Sequence, residues 1–257
     1  MISITILGNG NVAQNLFEAF QKSDSINVVQ VVGRTIDKLN YFKSRTSLAT
    51  YKDDLLPADI YVLAISDDVI LDVSNNLKVN GLLVHTSGAV PLSSLNKHNK
   101  IGVFYPLQTF TTGKILDLST VPICIEANNN EDLQLLHRLG NLLSNRVTTI
   151  ASSKRKALHV AAVFVNNFTN FMYTIGEQVC AESAIDFSLL NPLIQETAKK
   201  IEGTSPKLVQ TGPAKRGDQQ TLHAHLTLLE NKNQREIYTL LSNSIKAMYA
   251  EQKDKPL

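Results

Sequence analysis

ISITILGNGNVA, residues 2–13, is the stretch that decides the fold. Ile2 to Leu7 is a short, β-rich apolar run of the kind shown by a strand buried on both faces. It enters Gly8-Asn9-Gly10-Asn11-Val12-Ala13 directly, and Gln14 to Gln21 continues in a helical pattern. A GxGxxA turn between a strand and a helix is the fingerprint of dinucleotide binding. Gly8 permits the tight turn, Gly10 lets backbone amides approach a pyrophosphate, and Ala13 lets the helix pack closely on the strand. The amides at the helix start, with the positive end of the helix dipole, hold the anion. Gly8, Asn9, Gly10, Asn11, Val12 and Ala13 are therefore candidate nucleotide contacts.

Runs of the same character recur at residues 28–32, 60–65, 82–85, 101–104, 121–125 and 147–150, separated by turn signals or helical patterns. Continuous Val/Ile/Leu runs with crossovers between them predict a parallel sheet covered on both faces, an α/β doubly wound domain. After Ile150 the strand runs cease. Helical patterns take over at about 153–183, 188–201, 218–229 and 231–252, with Ser152, Ser153, Asp186 and Ser188 offering N-cap chemistry. The expected organisation is a nucleotide-binding domain over residues 1–151 and a helical domain over 152–257. The first helical segment is longer than a usual globular helix and is expected to cross between bodies or pair with a partner subunit.

The second strand ends in Gly33-Arg34-Thr35, where an NAD site places Asp or Glu on the ribose 2′-hydroxyl. A guanidinium takes a 2′-phosphate bidentately and stacks on adenine, so Arg34 and Thr35 point to NADP(H); the alternatives are a solvated charge and a helix cap. Ligands of open α/β sheets lie beyond the carboxyl ends of the strands. That rule adds Ile65 and Ser66 after the run 60–65, and Thr86 and Ser87 after His85, as cofactor contacts. Asp67 or Asp68 caps the helix that follows.

The 257 residues suffice for one large or two modest domains. Twenty-five Lys and Arg against 23 Asp and Glu leave a net charge of +2, no basic surface of the kind that dominates nucleic-acid affinity. No run approaches the ~18–20 apolar residues that span a bilayer, and the N-terminus lacks the basic region and cleavage site of a signal peptide. Cys124 and Cys180 stand far apart in apolar stretches and read as reduced, buried thiols. A cytoplasmic protein is expected, with no nucleic-acid or membrane partner.

GNGNVA, Val32-Gly33-Arg34, HTSGAVP (85–91), GVFYPLQTF (102–110), LHVAAVFVNNF (158–168) and TGPAKRGDQQTLHAHL (211–226) together resemble the Rossmann-like proteins that carry a C-terminal DUF2520 domain. These are related to the coenzyme-F420-dependent NADP oxidoreductase and pyrroline-5-carboxylate reductase superfamily. The resemblance covers nearly the whole chain. It implies an N-terminal NADP-binding Rossmann domain, an all-α dimerisation domain like that of 6-phosphogluconate dehydrogenase, and a homodimer. One departure is visible: the family segment reads FHPLQTF, and here Tyr105 stands in place of the His before Pro106.

Hydride transfer from a nicotinamide needs a group to protonate the developing alkoxide or amine. His159 and Asn167, at i and i+8 on the long helix, fall on neighbouring parts of one face if the helix is regular, with Asn166 closer still in azimuth to His159. His159 can supply the proton, and Asn167, in an apolar helix, must find a polar partner. Related β-hydroxyacid dehydrogenases use a Lys and an Asn from this helix, and here the lysines lie outside the motif at Lys154 and Lys156. Lys215 and Arg216 precede a helix capped by Asp218, so Arg216 is the candidate clamp for a substrate carboxylate; a contact with Asp218 is the competing reading. Thr221, His225 and Gln108 are further polar candidates.

The expectation is an NADP-dependent oxidoreductase of a small carbonyl or imino acid, with its cleft between sheet and helical domain. Three rivals stand beside it: a catalytically silent NADP-binding sensor or assembly protein, an enzyme with F420 as second cofactor, and a nucleotide transferase. The last lacks a metal-binding acidic cluster and a Walker lysine.

Overall fold

The apolar runs become strands because each alternates its side chains between two covered faces. In the computed structural model, which describes residues 1–250, β1 (Ile2–Leu7), β2 (Ile26–Gly33), β3 (Ser47–Thr50), β4 (Ile60–Leu63), β5 (Leu82–His85), β6 (Ile101–Pro106), β7 (Ile123–Ala127) and β8 (Val147–Thr149) form one sheet. Its order is β3-β2-β1-β4-β5-β6-β7-β8. Ile4, Ile6, Val28, Val31, Ile60, Val62, Leu82 and Val84 face one apolar cluster; Leu7, Val32, Tyr61, Leu63 and Leu83 face the other. The doubly wound class is thus observed, with one correction: β7 runs antiparallel to β6, while the remaining neighbours pair in parallel. The short strand β3 had no counterpart among the predicted runs, because in SLAT only Ala49 is buried.

Helix α1 (Asn11–Gln21) leaves the glycine turn and buries Ala13, Leu16, Phe17 and Phe20 on the first face. Each such large apolar side chain contributes ~1.5–3 kcal/mol relative to exposure. Beyond α1 the chain builds outward through β2 and β3, then returns to build the other half from β4, so the topological switch point lies between β1 and β4. Helices α2 (Ile70–Asn76) and α3 (Asn130–Asn141) cover the second half.

The chain divides into two compact units, Met1–Asn166 and a second that begins at Asn167. Helix α4 (Ser152–Ala162) therefore belongs to the sheet-bearing unit. The long helical segment is not one regular helix: a π-helical stretch, Val163–Phe168, separates α4 from α5 (Thr169–Glu182). The second unit continues with α6 (Asn191–Lys199), α7 (Pro213–Arg216), α8 (Gln219–Leu228) and α9 (Lys232–Ala250). Residues 251–252 of the predicted last helix lie outside the described residues. Asp186 and Asp218 accept the Ser188 and Thr221 amides as predicted caps. Ser152 and Ser153 do not cap α4: Ala151 holds that position, and the Ser152 hydroxyl donates to Glu126. Cys124 is buried, whereas Cys180, contrary to expectation, is partly exposed. Among the described residues no helix is long and apolar enough to cross a membrane.

Candidate functional site

A cavity of ≈ 670 Å³ opens at the switch point, lined by Gly8, Asn9, Gly10, Asn11, Val12, Arg34, Ile65, Ser66 and Thr86 among others. Its volume falls within the ~300–1,000 Å³ of small-molecule and cofactor pockets. Gly8 has φ +131°, and a Cβ there would stand 2.1 Å from the Ala64 carbonyl oxygen, so the turn demands glycine. Gly10 differs: among the described residues a Cβ would meet no atom within 4 Å, only the open cavity. No side chain caps α1 at Gly10, so the first-turn amides are left for an anion.

The side chains of the motif are engaged elsewhere. Asn9 donates to the Lys38 carbonyl at 2.9 Å, tying the turn to the segment after β2. Asn11 donates to the Phe110 carbonyl at 2.9 Å. Asn15, fully buried one turn later, donates to the Lys114 carbonyl at 3.2 Å and accepts the Leu116 amide at 2.8 Å. These asparagines pin the β6–β7 connection to α1 and set Phe110 in the cavity wall. What Asn9, Asn11 and Val12 offer a ligand is therefore chiefly backbone.

Ala13 is completely buried and packs the helix on the sheet rather than lining the cavity. Thr35 precedes a 3₁₀ turn without a side-chain capping bond and does not line the cavity. Ser87 is also withdrawn from it: its hydroxyl donates to Asp67 at 2.8 Å and accepts the amides of Ala89 and Val90, both at 3.0 Å. Asp67 is thus a partner of the β5 exit, not a helix cap. Sequence reasoning missed Gly33, Tyr51, Asp68, Val69, Val73 and Phe110, all of which line the cavity. Tyr51 follows β3, whose weak pattern hid it.

Beside this exit lies a buried polar cluster. Arg155, on α4, is completely buried; it pairs with Glu126 on β7 and donates to the Val90 carbonyl at 2.6 Å. Glu126 also accepts the Ser152 amide at 2.9 Å. His85 is completely buried, its Nδ1 accepting the Ser87 amide at 3.2 Å. Burial first, then the Arg155 charge, lowers its pKa to about 4, so the ring is neutral. The unfolded chain binds this proton near the ordinary value of 6.5, so between pH 6.5 and about 4 the unfolded state carries more protons and stability falls as pH falls. The expected loss across that window is ~3 kcal/mol. Urea titrations at stepped pH should show this slope, and His85→Asn should flatten it above the range where carboxylates titrate.

His159, on α4, meets the Tyr105 hydroxyl through Nδ1 at 3.2 Å. The π-helical stretch breaks the regular spacing that placed Asn167 near its azimuth, because each π turn takes more residues than an α turn. Asn166, not Asn167, makes the polar contact, donating to Thr109 Oγ1 at 2.5 Å. Asn167 is exposed and opens the second unit, so burial does not force a partner on it. Arg216 is exposed; it ends the short α7 and stands two residues before Asp218, the N-cap of α8. Lys215 is held within its unit, donating to the Gln210 carbonyl at 2.8 Å with its ammonium 5.0 Å above the Tyr249 ring. Asp218 is engaged by Thr221, whose hydroxyl donates to it at 2.7 Å, and His225 meets the Tyr238 hydroxyl at 2.7 Å.

Comparison with known proteins places this architecture. Residues 3–86 match the profile described as NADP oxidoreductase, coenzyme F420-dependent, and residues 121–245 match DUF2520, a domain of unknown function. A Bacteroides fragilis structure provisionally described as an NADP oxidoreductase is 34% identical, with TM-score 0.86 over 96% of this chain and 98% of that one. The chain belongs to this DUF2520 family. Two more distant structures share the family's fold. They are 1-pyrroline-5-carboxylate reductase of Streptococcus pyogenes, at 13% identity and TM-score 0.65 over 96% and 98% of the two chains, and an imine reductase of Myxococcus stipitatus in complex with NADP+, at 17% identity and TM-score 0.65 over 97% and 93%. No curated protein matches.

Proposed function

We propose that the protein is an NADP(H)-dependent reductase of a small carbonyl or imino acid, working as a homodimer. The observation that carries the reading is the cavity at the switch point. It combines the Gly8–Gly10 turn, the Arg34 guanidinium and the strand ends Ile65–Ser66 and Thr86 around one space. The residues fit a dinucleotide: Gly10 leaves open the space a Cβ would fill, and the α1 amides supply pyrophosphate donors. Arg34 and Tyr51 both line this cavity, bringing to it a guanidinium and an aromatic ring suited to a 2′-phosphate and an adenine. The nicotinamide would supply the hydride. The chain's own share is to bind the anion through α1, hold the Phe110 loop in place through Asn11 and Asn15, and present polar groups to the substrate.

The Bacteroides relative's description as an NADP oxidoreductase, at 34% identity, supports the cofactor class. The pyrroline-5-carboxylate and imine reductases, as fold relatives, suggest cyclic imino acids and small 2-oxo acids as the first substrates to try. In the helical unit Leu189, Leu193, Leu228, Leu240 and Met248 are all more than half exposed, which favours a protein partner and supports the homodimer. Arg216, exposed in the helical unit and free of the internal bonds that hold Lys215, stays the proposed carboxylate clamp; His159 on the sheet-bearing unit and Asn167 on the helical unit each stay a proposed substrate contact.

Isothermal titration with NADPH and NADH tests the reading. NADPH is expected to bind more tightly, and Arg34→Ala to weaken it by at least tenfold, ~1.4 kcal/mol, with little effect on NADH. Equal affinity for both, untouched by Arg34→Ala, overturns the NADP assignment; binding of neither removes the reductase.

A further inference from the structure

Tyr105 on β6 and His159 on α4 are 54 residues apart in sequence and meet at 3.2 Å, hydroxyl to Nδ1, with their rings edge to face at 6.1 Å. Gly88, just past β5, lets them meet: a Cβ there would stand 2.6 Å from His159 Nδ1 and 2.7 Å from Tyr105 Cζ. Gly88 itself lies two residues along the chain from Thr86, which lines the cavity. Tyr105 is buried against Val103 and Cys124, with Leu158 and Ile150 packed around it.

The chemistry of the pair decides where the imidazole proton goes. Burial, followed by the charges of Cys124 and Asp67, pushes the Tyr105 phenol above its ordinary range, so the hydroxyl keeps its hydrogen. A buried hydroxyl hydrogen needs an acceptor, and among the described residues His159 Nδ1 is the one within reach. Were Nδ1–H to donate to the phenol instead, the phenol hydrogen would be stranded, at ~1–3 kcal/mol. A bare Nδ1 in a neutral ring puts the proton on Nε2. Among the described residues Nε2 has no hydrogen-bond partner, and His159 is only partly buried.

We propose that Tyr105 is a positioning residue that fixes His159 as the Nε2–H tautomer, making Nε2 a hydrogen-bond donor for the carbonyl oxygen or imine nitrogen of the substrate. The inference rests on the reductase reading. The role is one of orientation: an N–H held in place polarises the acceptor, as a preorganised donor does at an oxyanion, before the developing alkoxide or amine takes its proton.

Long-range ¹H–¹⁵N spectra of the full chain in alkaline buffer, with His159 assigned by its loss in His159→Gln, test it. The wild type is expected to show a bare Nδ1 and a protonated Nε2; an Nδ1–H pattern overturns the proposal. Tyr105→Phe, which removes only the hydroxyl, is expected to shift the Nδ1 resonance, and an unmoved resonance overturns the coupling. Saturating NADP+ is expected to shift Nε2 in the wild type. If NADP+ binds and Nε2 stays still, His159 does not serve the reacting end and the proposal falls. If NADP+ does not bind at all, it is the reductase reading that fails, and the tautomer spectra still judge the pair. Should Tyr105→Phe not fold, the wild-type spectra and the NADP+ titration decide alone.

Discussion

Gly10→Ala is expected to leave the fold standing and to weaken dinucleotide binding at least tenfold, while Gly8→Ala, two residues earlier, is expected to remove the fold. Gly10 has φ −77°, which alanine adopts freely, and among the described residues a Cβ there meets no atom within 4 Å. The gain from restricting the unfolded chain, ~0.4–1 kcal/mol, is opposed by alanine's poorer performance at a helix N-cap, so stability should change by less than ~1 kcal/mol. The methyl nevertheless enters the space over the α1 amides, and NADPH affinity should fall at least tenfold, ~1.4 kcal/mol. Gly8 has φ +131° and would drive its Cβ to 2.1 Å from the Ala64 carbonyl oxygen and 2.8 Å from its carbon. The backbone conformation alone costs ~1–3 kcal/mol for a non-glycine residue, and the clash with the strand-end backbone adds to it. Thermal melts with and without NADPH separate the two. A Gly10→Ala protein that keeps full affinity would show that the turn is not the anion cradle.

Glu126→Ala should cost ~3–5 kcal/mol of folding stability. Arg155 has a side-chain exposure of 1%, and its guanidinium depends on Glu126, the Val90 carbonyl and the Ser152 hydroxyl. Among the described residues its Nε already lacks a partner, so removing the carboxylate leaves a buried and largely uncompensated cation. The double change Glu126→Leu with Arg155→Met should recover most of the loss, since two apolar side chains avoid the desolvation of both charges. Urea titration of the three variants measures this. A single-variant loss below ~1 kcal/mol would mean that Arg155 escapes to water when unpaired.

The sheet was legible because its strands are buried on both faces, and such strands must be continuously apolar. That is why the runs at 2–7 and 82–85 coincide with β1 and β5. β3 was not legible: four residues with one buried side chain carry no pattern. The antiparallel setting of β7 was equally invisible, since a strand's composition does not encode its direction. The glycine turn was readable because at Gly8 a backbone with φ +131°, set against the Ala64 carbonyl, excludes other residues. The buried polar cluster and the α4 residues were harder. Arg155 sits in SSKRKA, which reads as a solvated helix start, and its burial becomes visible only when Glu126 on β7 is seen beside it. The spacing from His159 to Asn167 assumed a regular helix, and the π-helical stretch at Val163–Phe168 shifts that register.

Local chemistry thus determined, from the sequence alone, the doubly wound sheet, the glycine turn on β1 and the helical second half, because each depends on neighbours within a few residues. Contacts across the chain decided the rest. Tertiary structure joined Tyr105 to His159, turned Ser87 and Asp67 away from the cavity, committed Asn11 and Asn15 to the Phe110 loop, and brought Tyr51 to the cavity that Arg34 also lines. Such pairings depend on strand order and on how closely two backbones approach, and those are properties of the packed sheet rather than of any short stretch of residues.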